Sequence, residues 1–319
     1  MIWGIPKSKG GVVIHNTFRM ILYIVIPIAA LTACAKVSEV PPREPISAAE
    51  VKRIASEVET ITNAKVEAWN SGDFEAIQAL YTDDIVFTEV TMDVHIVGID
   101  DFMEMARGFI QSFPTLRRQV TNHFIGLEDS LATIDYWGFS LGGHTFTPSD
   151  PYLWVHLSQI RGDRYSSWTL FEGPESIEKR DDVIVDKGRF DEARSLLSSY
   201  GSAWSSGDAN LIGKMYADSA VREDTIFGEQ QEGSTAVASF AKSFFSWYPG
   251  AQWTLHQVFG EWAGESPTIG GTYKVEVSDA TNQTCEVLVA VLLQASEGKI
   301  THEALYYEPD SLIKVGWVK

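Results

Sequence analysis

Cysteine is nearly missing from this chain. Two occur in 319 residues, Cys34 and Cys285, so there is no Cys-rich cluster to hold a structural metal. Cations are scarce as well. Lys and Arg total 25 against 43 Asp and Glu, a net charge of −18. No basic stripe remains to meet phosphates, which excludes a nucleic-acid partner. The same balance disfavours adsorption to anionic lipid surfaces and serves solubility. A Gly-rich phosphate loop and a nucleophile elbow are both absent, and no cofactor is expected. The apolar run from Ile21 to Ala33 is 13 residues, too short to span a bilayer comfortably.

What is present describes a globular chain. Hydrophobic residues make up 45% and charged residues 21%, with length enough for two domains. The short apolar run follows Lys7, Lys9 and Arg19, which fits the h-region of a secretory signal. It ends in Leu31-Thr32-Ala33-Cys34, which resembles the lipobox of bacterial lipoproteins. That resemblance implies cleavage before Cys34 and acylation of its thiol and new amine. Two or three acyl chains exceed what stable anchoring needs. Residue 35 is Ala, not the Asp that retains lipoproteins at the inner membrane, so the expected address is the envelope: the outer membrane where one exists, otherwise the cell surface. With Cys34 blocked by lipid, Cys285 would stand alone as a small residue in an apolar strand, and no disulfide would form.

The rest of the chain is organised by a repeat. Ala68-Trp69-Asn70-Ser71-Gly72-Asp73 returns as Ala203-Trp204-Ser205-Ser206-Gly207-Asp208, 135 residues later. The same offset carries Tyr81 to Tyr216, Asp83 to Asp218, Gly98 to Gly233, Pro114 to Pro249 and Pro174 to Pro309. These matches fall on helix ends, turns and apolar positions, as one supersecondary plan used twice would require. The organisation read from this is a signal peptide over 1–33, a Pro-rich tether over 34–46, domains over 47–174 and 190–309, a linker over 175–189 and a tail over 310–319. Within the first domain, Ser47 to Glu50 forms a capping box. Val51, Ile54, Val58, Ile61, Lys65 and Trp69 then lie on one helical face. A short second helix runs from Asp73 to Tyr81. A strand over 85–90 with a hairpin partner over 94–97 precedes a third helix over 98–113. Strands follow over 118–127, 131–141, 152–161 and 164–171.

The Ala-Trp-Asn-Ser-Gly-Asp helix end, the Tyr-x-Asp after it and the helix-then-meander order resemble the NTF2-like superfamily, in its SnoaL-like and ketosteroid-isomerase-like branches. The resemblance implies an α+β fold: two tandem cone-shaped domains, each with three helices against a curved antiparallel sheet. It also implies pairing through the outer sheet faces, either between the two repeats of one chain or in a homodimer. It marks fold better than function, since the superfamily holds isomerases, cyclases, dehydratases and non-catalytic binding domains.

In the isomerase branch a Tyr of the first helix donates to an oxyanion and an acid after the first strand is the base. Those positions fall on Tyr200 and Asp224 in the second repeat, and on Lys65 and Glu89 in the first. The third acidic position falls near His156 in the first repeat and on Ala290 or Val291 in the second. Tyr200 also lies on the stripe Ala193, Leu197, Tyr200, Trp204, which aims its hydroxyl inward. An enclosed Asp224 would have a raised pKa, useful to a base. Ketosteroid isomerase is the standard illustration of this arrangement. The bland alternative makes Tyr200 a core aromatic and Asp224 a solvated strand end. Lys65 with Glu89 reads either as a buried pair lining a pocket for an anionic ligand or as a lysine whose amine reaches water. His156, Trp69 and Trp204 are counted with them as ligand-lining residues. His123 and His156 could share one interior, but no close ligand pair supports a metal. Three functions remain open: a small-molecule-binding module without catalysis, an isomerase or cyclase using Asp224 and Tyr200, and a scaffold with filled pockets.

Overall fold

The structure, a computed structural model, describes residues 46–91, 94–181, 187–261, 268–278 and 284–315. Cys34, the signal peptide and the tether up to residue 45 lie outside them. Among the described residues no helix is long and apolar enough to cross a membrane.

The first repeat runs α1 (Ala48–Ser71), α2 (Phe74–Ala79), β1 (Tyr81–Glu89), β2 (Val94–Val97), α3 (Ile99–Ser112), β3 (Arg117–Ile125), β4 (Asp129–Trp137), β5 (Phe139–Leu141), β6 (His144–Phe146), β7 (Tyr152–Arg161) and β8 (Arg164–Glu172). A one-turn helix α4 (Pro174–Ile177) opens the segment expected to be linker. The second repeat runs α5 (Lys187–Ser206), α6 (Ala209–Met215), β9 (Tyr216–Asp224), β10 (Glu229–Glu232), α7 (Ser234–Trp247), β11 (Gln252–Gly260), β12 (Thr268–Ser278), β13 (Thr284–Ser296) and β14 (Lys299–Tyr307). The expected tail begins as a helix, α8 (Pro309–Lys314), because Glu308 caps it and Pro309 suits its first position. Only half of the Ser47 capping box forms. Ser47 Oγ accepts from Glu50 N, but the Glu50 carboxylate turns to Arg53.

Each repeat wraps one six-stranded sheet against its helices, in the order β2-β1-β8-β7-β4-β3 and β10-β9-β14-β13-β12-β11. Neighbours are antiparallel except where β1 meets β8 and β9 meets β14. Those parallel joins bring the hairpin beside the last strand of the meander, a pairing local pattern cannot show. The repeat extends to its irregularities. A bulge between Val120 and Asn122 recurs between Leu255 and Gln257, and one between Gln159 and Ile160 recurs between Gln294 and Ala295.

The two sheets meet through their outer faces. Ile125 pairs with Tyr307 and Gly260 pairs with Glu172, one contact seen twice under the 135-residue offset. Phe124, Val155 and Phe171 of one sheet share a buried cluster with Phe259, Ala290, Leu292 and Tyr306 of the other. The arrangement is a pseudo-two-fold contact inside one chain, self-complementary as isologous interfaces are. It leaves the inner, concave face of each sheet for the helix and whatever else the cone holds.

Candidate functional site

The repeated motif ties the first helix to the sheet. Gly72 and Gly207 adopt φ of +70° and +72°, the left-handed turn that ends a helix without strain only at glycine. Asp73 and Asp208 then cap the next helix. The third motif residue reaches across to a strand. Asn70 Oδ1 accepts from Arg118 N at 2.9 Å while its Nδ2 donates to Arg118 O at 3.0 Å. Ser205 Oγ likewise accepts from Trp253 N at 2.8 Å. Each clamp sets the inward residue at the start of a long strand, and that residue differs: an arginine in one cone, a tryptophan in the other.

The cone of the second repeat is closed by its own side chains. Trp253 lies 5.4 Å from Trp204 and 6.0 Å from Tyr200 between ring centroids. Phe244 meets Trp204 edge-on at 5.6 Å. Tyr200 donates to Glu303 Oε1 at 2.9 Å, Tyr216 donates to Glu303 Oε2, and Arg222 Nε lies 3.3 Å from Oε1. Glu303 is wholly buried and Arg222 nearly so, so each charge answers the other. Burial and the neighbouring Glu303 carboxylate both push the Tyr200 hydroxyl well above its ordinary pKa. Asp224 is buried rather than solvated. Its Oδ2 accepts from Tyr307 at 2.5 Å, and its Oδ1 accepts from Ile226 N and Phe227 N. Burial raises the Asp224 pKa, with Arg222 and Tyr307 opposing. Tyr200 and Asp224 thus serve different partners, and both are buried with their oxygens engaged.

In the first repeat Lys65 and Glu89 are both buried, but the amine does not turn to the acid. Lys65 Nζ sits 3.0 Å from His156 Nδ1, held over the rings of Tyr165 at 4.5 Å and Trp168 at 4.7 Å. With Lys65 as donor, Nδ1 accepts and Nε2–H faces Tyr136 Oη at 3.0 Å. The expected Lys65–Glu89 pair is therefore replaced by a Lys65–His156–Tyr136 chain. Glu89 Oε1 accepts from Thr91 N instead. Burial pushes the Lys65 and His156 pKa values well below their usual ranges, with Arg118 adding to both. Burial lowers the His123 pKa, and among the described residues no group of three His, Cys, Asp or Glu could hold a metal.

Arg118 is the residue the sequence reading passed over. It is 6% exposed, and its guanidinium stacks 4.0 Å from the Trp69 ring, 5.1 Å from Tyr136 and 5.4 Å from Phe109. Its Nε meets no acceptor. Beside it lies a half-enclosed hollow of about 120 Å³, walled by Trp69, Asn70, Phe109, Ile110, Phe113 and Leu116. A broader depression of about 580 Å³ lies against α5 at Asp191, Leu196 and Met215, open to solvent. Arg222 and Glu303 were missed too. Period two from the apolar Ala220 places Arg222 and Asp224 inward, and period two back from Leu305 does the same for Glu303. A charge at an inward strand position was the available signal.

A family model for the SnoaL-like domain matches residues 63–156 and again 197–303, together more than half of the chain. The chain belongs to the SnoaL-like domain family. Its SnoaL-like repeats are α+β cones in tandem, each a curved sheet around its leading helix. Solved structures share this likeness at low identity. One is a protein of ketosteroid isomerase-like fold from Catenulispora acidiphila in complex with trimethylamine: 19% identical, covering 39% of this chain and 93% of that one, TM-score 0.34. A putative polyketide cyclase from Sinorhizobium meliloti is 13% identical over 35% of this chain and 93% of that one, TM-score 0.30. A Mycobacterium tuberculosis LEH-like epoxide hydrolase is 15% identical over 39% and 88%, TM-score 0.34. No curated protein matches the chain.

Proposed function

We propose that this is an envelope lipoprotein, anchored through acylated Cys34, whose first SnoaL-like repeat binds a small molecule without catalysis. The observation that carries the reading is the asymmetry between the cones. One keeps a hollow walled by Trp69, Phe109 and Phe113 and lined by Arg118, whose Nε meets no acceptor. The other is filled at the equivalent position by Trp253. Against catalysis, the two groups with isomerase precedent, Tyr200 and Asp224, are engaged by Glu303 and Tyr307. A base must reach its proton directly or through one water, and both groups are buried with their oxygens committed to protein partners. Trp204, placed with the ligand-lining residues by sequence, then serves the core of the second repeat, whose packed cone suits a supporting role.

Two measurements test this reading. Native mass spectrometry of the chain purified from its host is expected to find a bound small molecule, lost in Ile110→Trp, which plugs the hollow. A substrate turned over by the wild type and not by Asp224→Asn would replace binding with catalysis. The anchor is tested separately. Cys34→Ala should abolish palmitate labelling and release the chain from the membrane fraction, and unchanged labelling would remove the lipoprotein reading.

A further inference from the structure

The two repeats hold their buried charges in different arrangements. Arg222 faces Glu303 across 3.3 Å. The positions equivalent to these two in the first repeat are Phe87 and Trp168, and the buried acid–base pair there is instead Glu172 with Arg180, 3.6 Å apart. The first repeat holds two other basic side chains, Lys65 and Arg118, each more than nine-tenths buried. No carboxylate forms an ion pair with either among the described residues, and the Arg118 charge lowers the pKa of both Lys65 and His156, adding to their burial. Lys65 has His156 and two aromatic rings to hold it. Arg118 has rings on its faces and no acceptor at Nε. Stacking leaves the edge of a guanidinium free, and that edge is a fork whose geometry matches a carboxylate.

We infer that the hollow in the first repeat takes a small monoanionic carboxylate with an apolar body, its carboxylate on the Arg118 fork and its body between Trp69, Phe109 and Phe113. This inference rests on the reading of the first repeat as the binding repeat. An apolar cavity of about 150 Å³ holds a benzene ring, so about 120 Å³ with an open side suits a ligand of one ring or fewer. The ends of α1 and α3 border the hollow with their carbonyls, and a helix C-terminus carries roughly half a negative charge. One carbonyl at each of these ends is already engaged. Ala68 O accepts from Gly72 N, Asp73 N and Ser71 Oγ, and Phe109 O accepts from Phe113 N. A full positive charge at Arg118 therefore sets the sign of the site. The Asn70 clamp on the Arg118 backbone fixes where the fork points before any ligand arrives.

Calorimetric titration of the full chain in detergent with benzoate and with its neutral isostere benzamide decides the matter. Benzoate is expected to bind at least tenfold more tightly than benzamide. Arg118→Met should remove that preference while leaving benzamide binding in place. Arg118→Lys keeps the charge and loses the fork, and should retain only part of the preference; it serves also if the methionine variant fails to fold. Equal binding of the two probes by the wild type, or an unchanged preference in Arg118→Met, overturns the carboxylate inference and leaves a small-molecule site standing. Tighter binding of inorganic phosphate than of benzoate overturns the apolar body. No binding of any probe, with Trp69 fluorescence unmoved, overturns both this inference and the binding reading beneath it.

Discussion

A single side chain decides what each cone can do. Trp253 and Arg118 occupy equivalent strand positions, both clamped by the motif above them, and one plugs where the other leaves room. Around them the polar residues follow different rules. Glu303 is wholly buried and takes hydrogen bonds from Tyr200 and Tyr216 besides facing Arg222. Removing one partner of a buried ion pair strands the other in a medium of low dielectric, at a cost of about 3–5 kcal/mol. Glu303→Ala is therefore expected to lower unfolding free energy by about that amount in urea titration. A loss under about 1 kcal/mol would mean that Arg222 finds water instead. Binding in the first repeat should survive, since no part of the Glu303 network reaches Arg118.

At the scale of elements, the helix–strand clamp connects the sequence motif to the site. Asn70 makes two hydrogen bonds to the Arg118 backbone, each worth about 0.5–1.5 kcal/mol net. Asn70→Ala should cost about 1–3 kcal/mol of stability, measured by urea unfolding, and weaken ligand binding beyond that loss, because β3 then starts unpinned. Asn70→Ser copies the second repeat, where Ser205 holds Trp253, and should recover most of the stability. The motif, the helices and the long strands were legible in the sequence because apolar spacing, Gly turns and Asp caps are local signals. The parallel joins of β1 to β8 and β9 to β14 were not, since they link strands separated by a helix and the whole meander.

Across the whole molecule, the two outer sheet faces satisfy each other. With that apolar surface covered inside the chain, sedimentation of the Cys34→Ser variant is expected to give one species near the 35.4 kDa of a monomer. A dimer would show that a second surface has been overlooked. The contact between repeats also carries a titrating group. Tyr306 donates to Asp129 Oδ2 at 3.1 Å, and burial pushes the Asp129 pKa up to about 6. The folded state then holds a proton that the unfolded chain, at 3.8, has released. This contribution is complete below pH 3.8 and is lost as pH rises through 6. Asp129→Asn should therefore be more stable than the wild type at pH 7.5, with the difference closing as pH falls below 6. A pH-independent difference would place Asp129 in water.

The sequence by itself determined the duplication, the α+β plan and the helix ends, because these follow from periodicity and turn chemistry within short stretches. It also offered Lys65, Glu89, His156, Tyr200 and Asp224 as site candidates while leaving a solvent-facing Lys65 amine and Asp224 open, and all five are buried. Their partners were decided only by tertiary structure. Lys65 meets His156 instead of Glu89, Tyr200 meets Glu303, and Asp224 meets Tyr307. Which two inward residues touch depends on sheet curvature and on the side-chain volumes around them, and no spacing along the chain encodes either. The hollow beside Arg118 arises the same way, as local space where Arg118, Ile110 and Phe113 stand in place of Trp253, Phe245 and Tyr248.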